Sequence, residues 1–298
     1  MMAAPGDQPT EKRSIMQISQ GRSAARSAAK FLLSPVMRGN SLVVFEARNK
    51  VVRFRTGRAT HQFENAEVAR LTRQLGELPR AKVASVVTTY RRPEIVQRAI
   101  QSALAQTVTD QVIMVVDDAG GMPELPDDPR VFGVSLSRNV AIAGVVRNMG
   151  ARLTRSEYVA FLDDDNQWAP NHLETALAAL DGAGPGPRPD LVYTAVRRAF
   201  PDGQLMDVLS VPFDKQKLRA EGFIDVNSVV ARRFPGLHFS RLNRPKGGTP
   251  AEDWELIFRL SYVHRQRIQH LPVETVNYLV NPEAYWSDWQ WSEMQPQA

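Results

Sequence analysis

The segment YVAFLDDDNQWAP (Tyr158–Pro170) joins an apolar run typical of a buried strand to three consecutive aspartates. Two similar apolar runs precede it, VASVVT (Val83–Thr88) and QVIMVV (Gln111–Val116), and the second also ends in acidic residues. Helical patterns lie between these runs, so strands and helices alternate along the chain. Such alternation predicts an α/β fold with a mostly parallel central sheet flanked by helices.

The remaining elements follow from the same hydrophobic periodicities. The predicted helices and strands are a helix from Pro93 to Ala105, a strand at Val131–Leu136, a helix at Ala143–Thr154, strands at Leu191–Thr194 and near Phe223–Val230, and a helix from Glu252 to about Tyr262.

The chain divides into three zones by composition. Residues 1–80 are predicted to be a basic extension that carries a β-hairpin, formed by Ser41–Glu46 and Val51–Arg55, and then an amphipathic helix over Asn65–Leu78. A Gly/Pro-rich break at Asp181–Pro189 predicts a boundary within the rest of the chain. We expect a donor-binding half over 81–180 and an acceptor-binding half over 181–298, which ends in an aromatic segment.

Composition and charge exclude several classes of protein. The 298 residues contain no cysteine, which excludes disulfides, thiol nucleophiles and cysteine-bound metals. The first 80 residues hold 14 Lys and Arg against 6 Asp and Glu, whereas the remaining residues hold 23 against 26. This basic arm indicates either a solvated extension or a weak contact with an anionic membrane surface, and we expect no nucleic-acid partner. Neither a secretory signal nor a membrane-spanning run is present, which favours a cytoplasmic location, with peripheral membrane contact as an open alternative.

Acidic residues follow two of the predicted strands at their carboxyl ends. Asp117 and Asp118 end one strand, and Asp163, Asp164 and Asp165 end another. Open α/β sheets bind ligands at this edge, and clustered carboxylates suit a hard cation such as Mg²⁺ or Mn²⁺ that also holds substrate phosphates. An aspartate that only caps the following helix is the alternative reading.

Four segments together resemble family 2 glycosyltransferases, enzymes of the GT-A (nucleotide-diphospho-sugar transferase) fold. They occur in the family's order and cover about residues 82–262: VVTTYRRPE (Val86–Glu94), VVDDAG (Val115–Gly120), RNMGARLTRSEYVAFLDDDNQWAP (Arg147–Pro170) and GGTPAEDWELIFRL (Gly247–Leu260). The resemblance implies an inverting, metal-dependent transferase. It would move a sugar from a nucleotide-diphospho-sugar, with a UDP-sugar favoured, to an acceptor hydroxyl.

The resemblance also implies roles for residues on the donor side. Thr88 and Tyr90 stand where the family holds the nucleotide base, and Asp117 stands where a carboxylate contacts the base or ribose. Arg147 falls where the family often carries an arginine against the donor. An exposed helical arginine is the alternative reading for that residue.

The metal motif of the family allows two registers in the run of three aspartates. Either Asp163 or Asp164 contacts the donor, and Asp165, common to both registers, is implied as the ligand of Mn²⁺ or Mg²⁺. A third ligand, often a late histidine in this fold, has no candidate after His270.

The implied general base is Asp253, which would take the proton of the acceptor hydroxyl. Glu252 is the alternative base or an acceptor-orienting neighbour, and Trp254 is implied to stack on the acceptor or to pack in the core. Asn227 is a further candidate for acceptor contact.

Three other functions remain open from the sequence. A nucleotidyltransferase of similar fold would normally carry a glycine-rich phosphate loop after the first strand, and Thr89–Pro93 lacks the glycines. A phosphorylated receiver-like switch would leave the Glu252–Trp254 segment without a role. A nucleotide-sugar-binding scaffold without catalysis differs from the transferase only in turnover.

Overall fold

The computed structural model of the protein describes residues 47, 50–51, 53–184, 186–243 and 251–280. Within these residues, nine strands form one sheet with helices packed on both faces. The elements in chain order are α1 (Phe54–Leu75), β1 (Val83–Thr89), α2 (Ile95–Leu104), β2 (Gln111–Asp117), β3 (Val131–Ser135), α3 (Ala143–Leu153), β4 (Tyr158–Asp163), β5 (Gln167–Trp168), α4 (His172–Leu180), β6 (Leu191–Ala199), β7 (Leu205–Leu209), β8 (Val229–Arg232), α5 (Glu252–Tyr262) and β9 (Ile268–Leu279).

The first half of the sheet is parallel, as the alternating pattern predicts. The strand order β3-β2-β1-β4 places β1 in the middle, with β2 on one side and β4 on the other. Every residue of β1 and β2 is buried, because helices cover both faces of these strands. The α/β fold with flanking helices is thereby confirmed.

The second half of the sheet is mixed. β8 joins the edge of β4 in the antiparallel direction, and β6 then pairs antiparallel with β8 and β7 but parallel with β9. Half of the eight strand pairings in the described chain are therefore antiparallel. In the first half, α2 connects β1 to β2, a long loop connects β2 to β3 and α3 connects β3 to β4, and connections of this length permit parallel pairing. A short turn joins β6 to β7, which pair antiparallel.

One sheet runs through both predicted halves of the chain. The Gly/Pro-rich segment Asp181–Pro189 falls between α4 and β6, where the sequence predicts a boundary. Even so, β8 and β6 lie beside β4, so the strands of the two halves share one hydrophobic core. The division into 1–80, 81–180 and 181–298 stays a prediction.

The predicted hairpin in the first zone is wrong in its second strand. Val51 is helical, and α1 begins at Phe54, so the run Val51–Arg55 leads into a helix. The first predicted strand, Ser41–Glu46, lies outside the described residues. A short apolar run fits a strand or a helix equally well. Here the run leads into α1, and the helical conformation is favoured because the apolar residues of α1, such as Leu71, pack with Met149 of α3.

A buried ion cluster fastens α1 to the rest of the molecule. Glu64 on α1 is fully buried and accepts bonds from Arg241 Nε (2.7 Å), Arg241 Nη2 (2.8 Å) and Arg152 Nη1 (2.7 Å). Burial alone would raise the pKa of Glu64, but bonds and charges from these two arginines hold the pKa below its ordinary value. The helix of the first zone is thus an integral part of the fold.

We expect Glu64→Gln to lower the free energy of unfolding by about 3 kcal/mol, because it leaves two arginines without their buried partner. The melting temperature should then fall by roughly 5–10 °C, measured by calorimetry at neutral pH. The control is Glu77→Gln, since Glu77 is 80% exposed in its ion pair with Arg155 and should change the melting temperature by less than about 1 °C.

The effect of Glu64→Gln should also depend on pH. A carboxyl whose pKa is depressed by folding contributes stability above its unfolded value of 4.5 and loses that contribution as the pH falls. The difference between the two proteins should therefore shrink below that pH. A constant difference between pH 3 and pH 7 (about 0.5 kcal/mol or less of change) would contradict the ionic role of Glu64.

No helix in the described ranges is both long enough and apolar enough to cross a membrane.

Candidate active site

The carboxyl ends of β1, β2 and β4 meet at one edge of the sheet. Parallel register pairs Thr88 with Asp163 and Thr89 with Asp117, so residues from three separated motifs become neighbours. The start of α5 reaches the same edge, because Arg147 contacts both Asp163 and Glu252. The structure therefore brings together most of the residues that the sequence singles out.

Asp163 is held by four hydrogen bonds. Its carboxylate accepts bonds from Arg147 Nη2 (2.6 Å), Asn227 Nδ2 (3.1 Å) and the hydroxyl of Thr88 (3.4 Å). Its backbone N–H donates to Asn227 Oδ1 at 2.7 Å. The orientation of Asp163 at the end of β4 is thus set from both the side chain and the backbone.

Asp164 and Asp165 share one arginine. Arg92 Nη1 lies 3.1 Å from Asp164 Oδ1 and 3.0 Å from Asp165 Oδ2, and the hydroxyl of Thr89 donates to Asp164 Oδ2 at 2.8 Å. Burial, followed by the neighbouring carboxylates of Asp163 and Asp164, raises the pKa of Asp165 to about 6. The cluster therefore carries more negative charge than its arginine neutralises.

The donor chemistry of this cluster fits a hard divalent cation. Among the described residues, no group of three or more His, Asp or Glu side chains is arranged to hold a metal ion. The crowded carboxylates nevertheless offer only oxygen ligands. Burial, and then the charges of Asp163 and Asp164, raise the pKa of Asp165, and a divalent cation would offset both effects. His270 contacts Tyr193 and Ser210 and is not among the residues that contact these aspartates.

Arg147 bridges the cluster to α5. It is 5% exposed, and its Nη1 donates to Glu252 Oε1 at 2.6 Å while Nη2 donates to Asp163. Burial would lower the pKa of the guanidinium, but the charges of Asp163 and Glu252 raise it well above its ordinary value. Both terminal nitrogens of Arg147 bond to protein carboxylates, which makes it a link between two motifs.

Asp253 lies in the first turn of α5 with a strongly perturbed carboxyl group. Its Oδ1 accepts the backbone N–H of Trp254 at 2.7 Å. Burial raises its pKa to about 7, with further increases from the carboxylates of Asp225 and Glu252, against a lowering by Arg147. A carboxyl group with this pKa exchanges a proton near neutral pH, as general base catalysis requires.

Trp254 points its polar edge into the protein. Its indole Nε1 donates to the carbonyl of Leu218 at 2.7 Å, and the ring packs against the apolar cluster that includes Phe223 and Leu256. These contacts favour the packing alternative, and the predicted acceptor stacking stays a prediction.

Asp117 is placed at the predicted edge, but its oxygens bind the protein itself. The carboxylate is fully buried and accepts bonds from the N–H groups of Gly120 (2.9 Å) and Gly121 (3.0 Å) and the hydroxyl of Ser135 (2.7 Å). Its predicted contact with a base or ribose remains a prediction. In the present structure Asp117 shapes the loop that follows β2.

Tyr90 stands at the mouth of the same edge. It is 39% exposed, and the guanidinium carbon of Arg91 lies 5.1 Å from the centre of its ring. A Cβ added at Gly120 would meet the backbone nitrogen of Arg91 at 2.4 Å and the Tyr90 ring at 2.9 Å. Glycine is therefore required where the two loops touch, and Tyr90 stays accessible to a ligand.

Sequence reasoning missed the role of the segment before β8. Asn227 Nδ2 bonds to Asp163 and also to Asp225 Oδ1 at 2.8 Å, so its amide contacts the acidic cluster, and its predicted contact with an acceptor stays a prediction. Its own carbonyl accepts the Trp168 indole N–H at 2.7 Å, and Trp168 stacks on His172 at 4.6 Å. The signal available beforehand was Asp225-Val-Asn227, an Asp that accepts the N–H two residues later.

The strand ends at this edge of the sheet fall within a stretch that matches a known protein family. Residues 85–222 match the family described as Glycosyl transferase family 2. This stretch is similar to the family 2 glycosyltransferases. The matched residues include most of β1, and β2 and β4 with their terminal aspartates, whereas α5 and the Glu252–Trp254 motif lie beyond them.

Several curated proteins are similar to part of this chain. Succinoglycan biosynthesis protein ExoO of Rhizobium meliloti is 37% identical over 107 residues, which are 34% of this chain and 30% of that protein. Colanic acid biosynthesis glycosyl transferase WcaA of Escherichia coli, named as putative, is 31% identical over 32% of this chain and 37% of its own. Validoxylamine A glucosyltransferase of Streptomyces hygroscopicus is 28% identical over 60% and 44% of the two chains. The chain thus covers less than half of each of these three relatives.

Two solved structures are similar to this chain at low identity. S. aureus TarS 1-349 in complex with UDP-GlcNAc has a TM-score of 0.49 and 17% identity, over 69% of this chain and 60% of that one. The mannosyltransferase PcManGT from Pyrobaculum calidifontis, in complex with GDP-Man and Mn²⁺, has a TM-score of 0.49 and 16% identity, over 84% and 77% of the chains.

We expect Arg147→Met to destabilise the protein without any ligand present, because it leaves Asp163 and Glu252 without their shared counter-charge. The loss should be about 2–4 kcal/mol, a fall in melting temperature of roughly 5–10 °C. Arg98→Met is the control, since Arg98 is exposed on α2. If Arg147 acted only as a contact for bound donor, the two variants would melt at the same temperature in the absence of nucleotide.

Proposed function

We propose that this protein is an inverting, metal-dependent glycosyltransferase that moves a sugar from a nucleotide-diphospho-sugar to an acceptor hydroxyl. The observation that carries the proposal is the Asp163–Arg147–Glu252 bridge, since it ties the acidic end of β4 to the helix that presents Asp253. The match of residues 85–222 to the glycosyltransferase family supports the same activity. Relatives named as glucosyltransferase and β-N-acetylglucosaminyltransferase also support it.

Asp253 is the proposed general base. The acceptor hydroxyl gives its proton to the Asp253 carboxylate as its oxygen attacks the anomeric carbon of the donor sugar. The bond from that carbon to the diphosphate oxygen breaks on the opposite face, and the bonding pair leaves with the nucleoside diphosphate. Such an attack inverts the anomeric configuration. Proton removal of this kind accelerates a reaction by about 10²–10⁴-fold.

The environment of Asp253 suits this role. A carboxylate with the usual pKa near 4 would be a weak base at neutral pH, and a carboxyl with a much higher pKa would be protonated and inactive. Burial beside Asp225 and Glu252 brings the pKa of Asp253 to about 7, so that a large fraction is ionised while basicity is high. Glu252, bonded to Arg147, is engaged as a positioning residue.

The acidic cluster is the proposed site for the donor diphosphate. Asp165, with 31% of its side chain exposed, would hold Mn²⁺ or Mg²⁺ together with Asp163 or Asp164. The cation, when bound, supplies Lewis acid stabilisation of the departing diphosphate. Arg92 balances part of the charge of Asp164 and Asp165. We propose a UDP-sugar as the donor, with Tyr90 and Thr88 near the base and Asp117 holding the neighbouring loop.

We predict that kcat/KM falls about tenfold for each unit of pH below 7 and levels off above it, because Asp253 acts in its deprotonated form. Asp253→Asn should lower turnover at least about 10²-fold and keep nucleotide binding, measured by thermal shift. Asp202→Asn, in the turn between β6 and β7, is the matched control and should keep full turnover. Near-normal kcat in Asp253→Asn, or a flat profile from pH 5 to 8 (less than about threefold change), would reject Asp253 as the base.

We predict that one of UDP, GDP and dTDP raises the melting temperature, and that Mn²⁺ enlarges the shift. A ligand at 100 times its dissociation constant stabilises by about 2.7 kcal/mol, a shift of roughly 5–10 °C. Asp165→Ala should remove the metal-dependent part of the shift and keep the rest. No shift with any nucleotide, with or without Mn²⁺ or Mg²⁺, would contradict a donor site at this edge.

A further inference from the structure

The outward face of α1 and the turn before it carries positive charge. Lys50, Arg55, Arg58 and Arg73 are all exposed, and the first three lie within about two helical turns of one another. Between residues 47 and 76 the sequence has only two acidic residues, Glu64 and Glu67.

Neither acidic residue offsets this charge at the surface. Glu64 is fully buried against Arg241 and Arg152, and Glu67 is 4% exposed. Glu67 accepts bonds from the N–H (2.7 Å) and the hydroxyl (3.0 Å) of Ser137 and from Arg70. Both carboxylates are therefore buried, and the charged residues on the solvent-facing side of the helix are cations.

Two apolar side chains stand among these cations. Val51 is 79% exposed and Phe54 is 65% exposed, the two most exposed large apolar residues of the first zone that the structure describes. Val51 and Phe54 lie three residues apart around the start of α1, close in the chain to Lys50, Arg55 and Arg58. Apolar side chains flanked by lysine and arginine are suited to the boundary between headgroups and acyl chains of an anionic bilayer.

The start of α1 also contacts Leu242 and Asn243, in the segment that precedes α5 in the chain. A Cβ added at Gly57 would lie 3.0 Å from Leu242 Cδ2, and the guanidinium of Arg53 donates to the carbonyl of Asn243. Glu64 fixes Arg241 of the same segment. A surface bound to the start of α1 would thus adjoin the segment that precedes Asp253 in the chain.

We propose that Lys50, Val51, Phe54, Arg55 and Arg58 form a docking surface for a bilayer that contains anionic phospholipid. The cations bind the lipid phosphates, and Phe54 and Val51 insert among the headgroups. Charge complementarity favours an anionic surface, and the exposed apolar side chains of Val51 and Phe54 favour lipid, because both can insert at the boundary between headgroups and acyl chains.

The test is flotation of the full-length protein with vesicles of phosphatidylcholine, with or without phosphatidylglycerol. We expect binding only with phosphatidylglycerol, weakened by salt. Arg55→Glu/Arg58→Glu should lower partitioning at least roughly 30-fold, equivalent to about 1 kcal/mol for each lost cation. Phe54→Ser should lower it about tenfold at equal charge.

The control, Arg98→Glu/Arg197→Glu, makes the same change in net charge at exposed positions on α2 and β6. It should bind vesicles as the unmodified protein does, and all variants should keep its melting temperature. Equal loss in the control, or full binding by Arg55→Glu/Arg58→Glu, would overturn the proposal. Binding to a duplex oligonucleotide but not to vesicles would also overturn it. Flotation needs no substrate, so its result is independent of the transferase activity.

Discussion

The buried guanidinium of Arg147 is the interaction on which the arrangement of the site depends. It joins Asp163, at the end of a parallel strand, to Glu252, at the start of a helix more than eighty residues further along the chain. A buried cation must be paired, and here each terminal nitrogen meets a different carboxylate. The pairing therefore holds the end of β4 and the start of α5 at one position relative to each other, and Asn227 and Glu64 brace the surrounding segments.

Carboxylates outnumber cations at this edge of the sheet, and this imbalance contributes to the raised pKa values of two aspartates. Burial and mutual repulsion bring the pKa of Asp165 to about 6 and that of Asp253 to about 7. Such crowding disfavours folding when the groups are ionised, and perturbed carboxyl groups of this kind are typical of functional sites. The same molecule keeps the carboxylates of α1 fully paired, which leaves that helix with a cationic outer face.

Particular elements show why the prediction of the fold succeeded where it did. The strands β1, β2 and β4 are continuous apolar runs, and α5 spans Glu252–Tyr262 as its periodicity predicts. The predicted hairpin is wrong because Val51–Arg55 is a short apolar run that leads into α1. The packing of α1 on α3 favours the helical conformation there. The antiparallel pairings of β8 depend on contacts between distant segments, which no local pattern encodes.

The amino-acid sequence alone determined the order of strands and helices and the placing of the acidic residues at strand ends, because both follow from hydrophobic periodicity. It also identified Asp253 and the run Asp163–Asp165 as candidates. Only the tertiary structure decided which groups pair: Arg147 bonds to protein carboxylates, Asn227 bonds to Asp163 and Asp225, and Asp117 binds its own loop. Hydrogen bonding and desolvation depend on neighbours that folding brings from remote parts of the chain, and so these assignments required the folded molecule.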